Sequence, residues 1–234
     1  MTTTAGKYSG GTPASGATGC AAIIVAGGRG RRLFPGMPPR GKAGVAFHGR
    51  SFLAHVHAAL RPAVDRVVIV AAAGIPLPDD VGAATVIHDS RPGDGPLAAL
   101  ADGLEWLAAV SATQRVVVAA VDLPRLSPAV PRWLLGRLDD RDAAGAAADW
   151  IVPLVDGHPQ PLLSALCTRL RPRIDAYLAT GRRDPRGLVD YLAGAHPGTV
   201  RLVPIAADAA ALRPAFDDVD DPDDLERLAG PSPA

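Results

Sequence analysis

The chemistry-bearing residues of this 234-residue chain begin with Val25-Ala26-Gly27-Gly28-Arg29-Gly30-Arg31-Arg32-Leu33, followed by Lys42. Glycine has no Cβ, so the backbone N–H groups of Gly27, Gly28 and Gly30 can approach an anion closely. Arg29, Arg31 and Arg32 can fork onto phosphate oxygens, and Lys42 supplies a point charge. A strand running into such a loop is a seat for nucleotide phosphates. Glycine-rich loops also serve as plain turns. Two familiar phosphate motifs are excluded. There is no Gly-Lys-Ser/Thr, and Leu33 occupies the last glycine position of a dinucleotide fingerprint.

Carboxylates form the second group. Asp122 follows the apolar run Val116 to Val121 and precedes Leu123-Pro124. Opposite a triphosphate loop it is the candidate Mg²⁺ ligand, since Mg²⁺ takes carboxylate oxygens together with substrate phosphates. The other reading is a helix cap. Asp89 opens Asp89-Ser90-Arg91-Pro92-Gly93-Asp94-Gly95-Pro96, as a nucleotide contact or a turn residue. In the acidic run from Asp217 to Asp224, Asp221 is an expected N-cap with Pro222 at the first helical position. Asp218 or Asp220 could reach a second cation or the substrate. His158 and Gln160 lie in a turn, as substrate contacts or as turn residues only. No G-x-S-x-G occurs, so a serine triad has no support.

These residues must be positioned by strands and helices. Apolar runs read as strands at Ala21 to Val25, Arg66 to Ala71, Ala84 to Ile87, Arg115 to Val121, Trp150 to Val155 and Val200 to Ile205, with a further strand expected at Gln160 to Leu163. Helical stretches follow from Ser51 to Leu60, from Pro96 to Val110, and from Ser127-Pro128 to Leu138. Later ones are Ala165 to Thr180, broken near Pro172, Pro185 to Leu192, and Pro222 to Leu228. Alternation of strand and helix predicts an α/β fold: three layers, α/β/α, around a mostly parallel sheet. The glycine loop, Asp89 and Asp122 all fall at carboxyl ends of strands, where such sheets bind ligands.

Composition sets the outer bounds. Apolar residues make up 48% and charged residues 21%, with zero formal net charge, as in a globular protein without a wholly basic surface. No nucleic-acid partner is expected, and no membrane partner, because no apolar run is long enough to span a bilayer. Residues 1–19, rich in Thr, Gly, Ser and Ala, are expected to be a disordered tail. Residues 20–229 then form one domain and 230–234 a second tail. Cys20 and Cys167 read as small buried hydrophobes rather than a disulfide or zinc site. A cytoplasmic location is expected. The oligomeric state is open, with a monomer as the default.

In order along the chain, these motifs resemble a known family. Val25 to Leu33 with Lys42 resembles the L-A-G-G-x-x-x-R-[ML]…K signature of nucleotidyltransferases. Gly95-Pro96-Leu97-Ala98-Ala99-Leu100 is similar to G-P-L-A-G-L of the molybdenum cofactor guanylyltransferases, and Val121-Asp122-Leu123-Pro124-Arg125-Leu126 to their C-D-M-P-F-L. His158-Pro159-Gln160 falls at their H/Q-P segment, and Phe216 to Leu225 resembles their closing F-x-N-x-N-T-P-E-E-L. The resemblance implies a Rossmann-like nucleotidyltransferase (GT-A-like) fold. It also implies transfer of GMP from GTP to molybdopterin with release of pyrophosphate. By that analogy Val25, Ala26, Gly27, Gly28 and Gly30 hold base, ribose and phosphates. Lys42 and Arg32 act on the phosphates, Asp89 contacts the nucleotide, and Asp122 holds Mg²⁺.

Two departures keep alternatives open. The spacing from Gly28 to Lys42 is closer to that of sugar-nucleotide pyrophosphorylases. Ala71-Ala72-Ala73 offers no side-chain hydrogen bond where guanylyltransferases often place an Asn. The acceptor could then be a sugar phosphate or another phosphorylated small molecule, or the transfer could be cytidylyl. A reading from a different class is a non-catalytic cofactor-binding or chaperone protein.

Overall fold

Cys20–Val25 is apolar at every position and buried at every position, and it forms β1. Such a strand needs cover on both faces. The structure, a computed structural model, describes residues 19–28, 33, 41–82, 84–143 and 145–230, with no side-chain description for 207 and 208. The tails before residue 19 and after residue 230 lie outside the described residues, as do Arg29, Gly30, Arg31 and Arg32.

After β1 comes a small hairpin of β2 (Ala46–Phe47) and β3 (Arg50–Ser51), then α1 (Phe52–Leu60). Ser51 starts α1 as the sequence predicts, its Oγ accepting from Ala54 N at 3.0 Å. The order continues β4 (Arg66–Ala71), β5 (Thr85–His88), α2 (Pro96–Val110), β6 (Arg115–Ala120), α3 (Ala129–Asp139), β7 (Trp150–Val155), β8 (His158–Pro159) and β9 (Leu163–Cys167). It closes with α4 (Arg171–Ala179), α5 (Pro185–Ala195), β10 (Val200–Pro204) and α6 (Pro222–Ala229).

The main sheet runs β10-β7-β9-β6-β1-β4-β5, with β8 pairing on β7. All of its strands are parallel to one another except β9 and the short β8. Alternate residues of β1 serve opposite faces. Ala22 and Ile24 join a core with Leu53 of α1 and Leu134 of α3. Ala21 and Ile23 join another with Leu100 of α2, Ile174 of α4 and Leu188 of α5. The predicted three layers are therefore present. At Gly103 a Cβ would lie 2.9 Å from Ile23 Cδ1, so a glycine lets α2 approach the sheet.

The sequence reading is corrected in one region. Gln160 to Leu163 is not the sixth strand, and residues 165–167 are not helical. The strand is β9, inserted antiparallel between β6 and β7. Ser164 explains the change: its buried Oγ accepts from Trp150 Nε1 at 2.9 Å and donates to Pro161 O at 2.7 Å. Pro172 does not break the helix it was assigned to. It sits at the start of α4, where its missing N–H has no helical partner to lose. Among the described residues no helix is long and apolar enough to cross a membrane.

Candidate active site

The sheet changes direction of growth at β1, with β4 on one side and β6 on the other. Ligands bind beyond the carboxyl ends of strands at such a point. Gly27 and Gly28 leave β1 there, and Asp122 lies just past β6. Ala26 N donates to Val70 O at 2.8 Å and Val121 N to Val25 O at 3.2 Å, fixing both strand ends.

Lys42 is returned to this point by the backbone. Its N–H donates to Gly28 O at 3.0 Å, closing the neck of the glycine loop. Gly41 before it has φ 71°, and a Cβ there would stand 2.9 Å from Ile75 Cγ2. Glycine is therefore required for the turn that aims Lys42. The lysine stem lies along Gly28, whose Cβ, if present, would sit 3.8 Å from Lys42 Cδ. The ammonium reaches Asp122 Oδ2 at 2.7 Å and is also bonded to Asp220 Oδ1. Burial opposes its charge, yet Asp122 and then Asp220 more than offset this and hold its pKa above 10.5.

Asp220 arrives from the far end of the chain. Val219 is fully buried against Leu33, Val45, Phe47 and Phe52, and its N–H donates to Asp122 O at 3.0 Å. That backbone bond ties the acidic segment to Asp122 and brings Asp218 and Asp220 beside it. Asp221 caps α6 as predicted, accepting from Asp224 N at 2.9 Å, while Asp224 Oδ2 accepts from Asp220 N at 3.0 Å. The second reading offered for Asp122, a helix cap, is absent: α3 starts at Ala129, and no side chain caps it.

Burial and the charges of Asp122 and Asp220 push the Asp218 carboxyl above 3.8, with Lys42 opposing weakly. A carboxylate whose folded pKa is raised keeps its proton where the unfolded chain has lost it. It therefore opposes folding as pH rises through that raised value, and contributes nothing below 3.8. Asp218→Asn is expected to raise Tm at neutral pH, with the gain closing on acidification toward 3.8; melts across that range check it.

Of the two readings made for Asp89, the turn residue is the one its hydrogen bond shows. Its Oδ1 accepts from Arg91 N at 2.9 Å as a turn residue, while Oδ2 faces the position a Gly27 Cβ would take, 4.0 Å away. Val25 to Gly28, Lys42 and Asp89 thus gather on the β1–β4–β5 side. On the other side, toward β9, a cleft of about 300 Å³ opens beside Asp122 and Asp218. Leu123, Pro159, Pro161, Leu162 and Phe216 form its apolar wall, with Gln160 and Arg186 among its polar groups. His158 lines a second, adjoining cleft of about 310 Å³ that shares Gln160, Arg186, Phe216 and Asp218 with the first.

The expected residues Lys42, Asp122 and the Val25–Gly28 turn converge, with Asp89 facing Gly27. Gly30 and Arg32 lie outside the described residues. Sequence reasoning missed Arg186 altogether and did not foresee that Asp220 pairs with Lys42. A single Arg in Arg182-Arg183-Asp184-Pro185-Arg186 carries no signal of its own, whereas buried Val219 between two aspartates was a usable one.

Among the described residues no group of three His, Cys, Asp or Glu side chains forms a preset metal cage. Mg²⁺ asks for less. It keeps several waters and is held by one or two carboxylates with substrate phosphates, so the hard oxygen donors of Asp122 and its neighbour Asp218 fit it.

Relatives of known name share this architecture. Residues 22–198 match the family described as MobA-like NTP transferase domain. A probable molybdenum cofactor guanylyltransferase of Mycobacterium avium is 35% identical over 178 residues, 73% of this chain and 80% of that one. The molybdenum cofactor guanylyltransferase of Pseudomonas aeruginosa is 31% identical over 169 residues, 71% and 78% of the two chains. In fold, the chain is similar to molybdopterin-guanine dinucleotide biosynthesis protein A from Archaeoglobus fulgidus, with TM-score 0.65 and 23% identity over 89% of this chain and 96% of that one. It is also similar to 2-C-methyl-D-erythritol 4-phosphate cytidylyltransferase from Thermus thermophilus, with TM-score 0.57 and 22% identity over 87% and 94%. With the match spanning β1 through most of the sheet and including both Lys42 and Asp122, the chain belongs to the MobA-like NTP transferase family.

Proposed function

We propose that this chain transfers GMP from GTP to the phosphate of molybdopterin. The observation that carries the reading is the Lys42 ammonium bonded to Asp122 and Asp220 beside the Gly27-Gly28 turn. A cation and carboxylates placed together at a strand-end crevice suit a triphosphate with Mg²⁺. Names of relatives from Mycobacterium avium and Pseudomonas aeruginosa support the guanylyl and molybdopterin parts.

An oxygen of the acceptor phosphate attacks the α-phosphorus. The new P–O bond forms as the bond from the α-phosphorus to the α,β-bridging oxygen breaks, and pyrophosphate leaves with that electron pair. No covalent intermediate on the protein is needed. The Val25–Gly28 backbone and Asp89 orient the nucleoside end. Lys42 leaves its carboxylates for the phosphates and neutralises charge there. Asp122, with Asp218 beside it, would hold Mg²⁺, which supplies further neutralisation when bound.

A thermal-shift titration with GTP, CTP, UTP, dTTP and ATP, with and without Mg²⁺, tests this. GTP at about 100 times its dissociation constant is expected to add about 2.7 kcal/mol in the presence of Mg²⁺. Pyrophosphate release is then expected only when molybdopterin is added. Buried Ala71 and Ala72 offer no side-chain hydrogen bond to guanine, and the fold is similar to that of a cytidylyltransferase, so one second reading is cytidylyl transfer. A shift with CTP and none with GTP selects it, and a shift with no nucleotide overturns both.

A further inference from the structure

The 300 Å³ cleft beside Asp122 has an electrostatic problem if a phosphate is to enter it. Asp122, Asp184 and Asp218 line it, and all three repel an anion. Lys42 is bonded to two carboxylates and lies along Gly28, on the nucleotide side. Among the described residues that line the cleft, the only cation is Arg186.

Arg186 is the second residue of α5, exposed, and engaged in no hydrogen bond or ion pair among the described residues. The carboxylate two positions before it is occupied. Asp184 Oδ2 accepts from Gly187 N at 2.7 Å, and Oδ1 accepts from Tyr177 Oη at 2.9 Å. Other arginines of the adjoining cleft are engaged too. Arg213 bonds Asp217 at 2.5 Å and Asp156 at 2.9 Å, and Arg227 pairs with Asp224. Among the described residues lining the two clefts, the guanidinium of Arg186 is therefore the uncommitted one, and it borders both. The first cleft is also lined by apolar Leu123, Pro161, Leu162 and Phe216.

We infer that Arg186 is the acceptor-binding residue, gripping the acceptor's phosphomonoester while the body of the acceptor lies on the apolar wall. A guanidinium fork binds two oxygens of one phosphate and leaves the third free to face the nucleotide. Gln160, on the same wall, has an amide to add a hydrogen bond. This rests on the nucleotidyl-transfer reading above and says which side chain selects the acceptor class: a phosphate on an apolar or ring-bearing body.

The test uses the full chain with Mg²⁺ and a GTP analogue bearing a methylene between the α- and β-phosphates, which cannot react. Calorimetry follows binding of phenyl phosphate, the probe, to this complex in the native protein and in Arg186→Ala and Arg186→Lys. The expected result is at least a tenfold loss of phenyl phosphate affinity in Arg186→Ala, partial recovery in Arg186→Lys, and unchanged affinity for the GTP analogue. In turnover, the acceptor KM should rise by the same factor with kcat and the GTP KM little changed. Exposed, and without a partner among the described residues, Arg186 can be replaced without loss of fold, and an unchanged melt of the free variant checks this. Equal phenyl phosphate affinity in native and Arg186→Ala proteins, or none in either, overturns the inference. If no nucleotide binds the native protein, the nucleotidyl-transfer reading fails instead, and this inference with it.

Discussion

Asp122→Asn is expected to lower kcat for nucleotidyl transfer by about a thousandfold, the several kcal/mol attributed to charge stabilisation at the reacting phosphorus. The fold should survive the change. Asp122 is only one of two carboxylates on Lys42, its backbone carbonyl still accepts from Val219 N, and asparagine keeps its shape. The diagnostic measurement is a pair: turnover at saturating GTP and Mg²⁺, and the Mg²⁺ dependence of the thermal shift. A variant that melts like the native protein, binds GTP alone as well, and loses the Mg²⁺-dependent increment supports the proposed metal role. A variant with undiminished turnover removes Asp122 from the chemistry.

Lys42→Met separates two consequences of the same side chain. The first is stability. Lys42 is 13% exposed and Asp122 20%, so their pair is largely shielded, whereas Asp220 is 45% exposed. Removing the cation leaves Asp122, Asp218 and Asp220 facing one another. The cost is expected to be about 1–3 kcal/mol, below that of a fully buried pair because Asp220 can turn to water. The second is function. Loss of charge neutralisation at the phosphates should lower kcat/KM for GTP by about 10²–10³-fold. Denaturant melts and steady-state kinetics read the two effects apart. Adding Asp220→Asn to Lys42→Met should recover part of the stability and none of the activity.

Much of this arrangement could be read from single residues, and the failures have physical reasons. The β1 run is apolar at every position, so its burial on both faces followed directly. Asp122 ending a wholly apolar run, and Ser51 and Asp221 opening helices, were legible because each is a local signal. Leu163 to Cys167 was not. A short apolar run reads equally as strand or helix, and β9 is decided by partners far away in sequence, Val116 to Ala119 on one side and Trp150 on the other. The hairpin of β2 and β3 is only two residues long on each side, too short for any periodicity. The pairing of Lys42 with Asp220 joins residues 178 apart, which no spacing rule reaches. Arg186 was invisible because the role inferred for it rests on its place beside the cleft and on its having no partner among the described residues, which only coordinates report.

The bond between Lys42 and Asp220 also has a schedule. A ribosome adds about 5–20 residues per second, so with 178 positions between them Lys42 is made on the order of tens of seconds before its second carboxylate exists. Once the chain has grown far enough past Lys42 to clear the exit tunnel, β1, its glycine turn and Lys42 are outside the ribosome while Val219 and α6 are still to come. A nascent chain therefore carries a cationic half-site, attractive to any polyphosphate, before it owns the acidic segment that completes it.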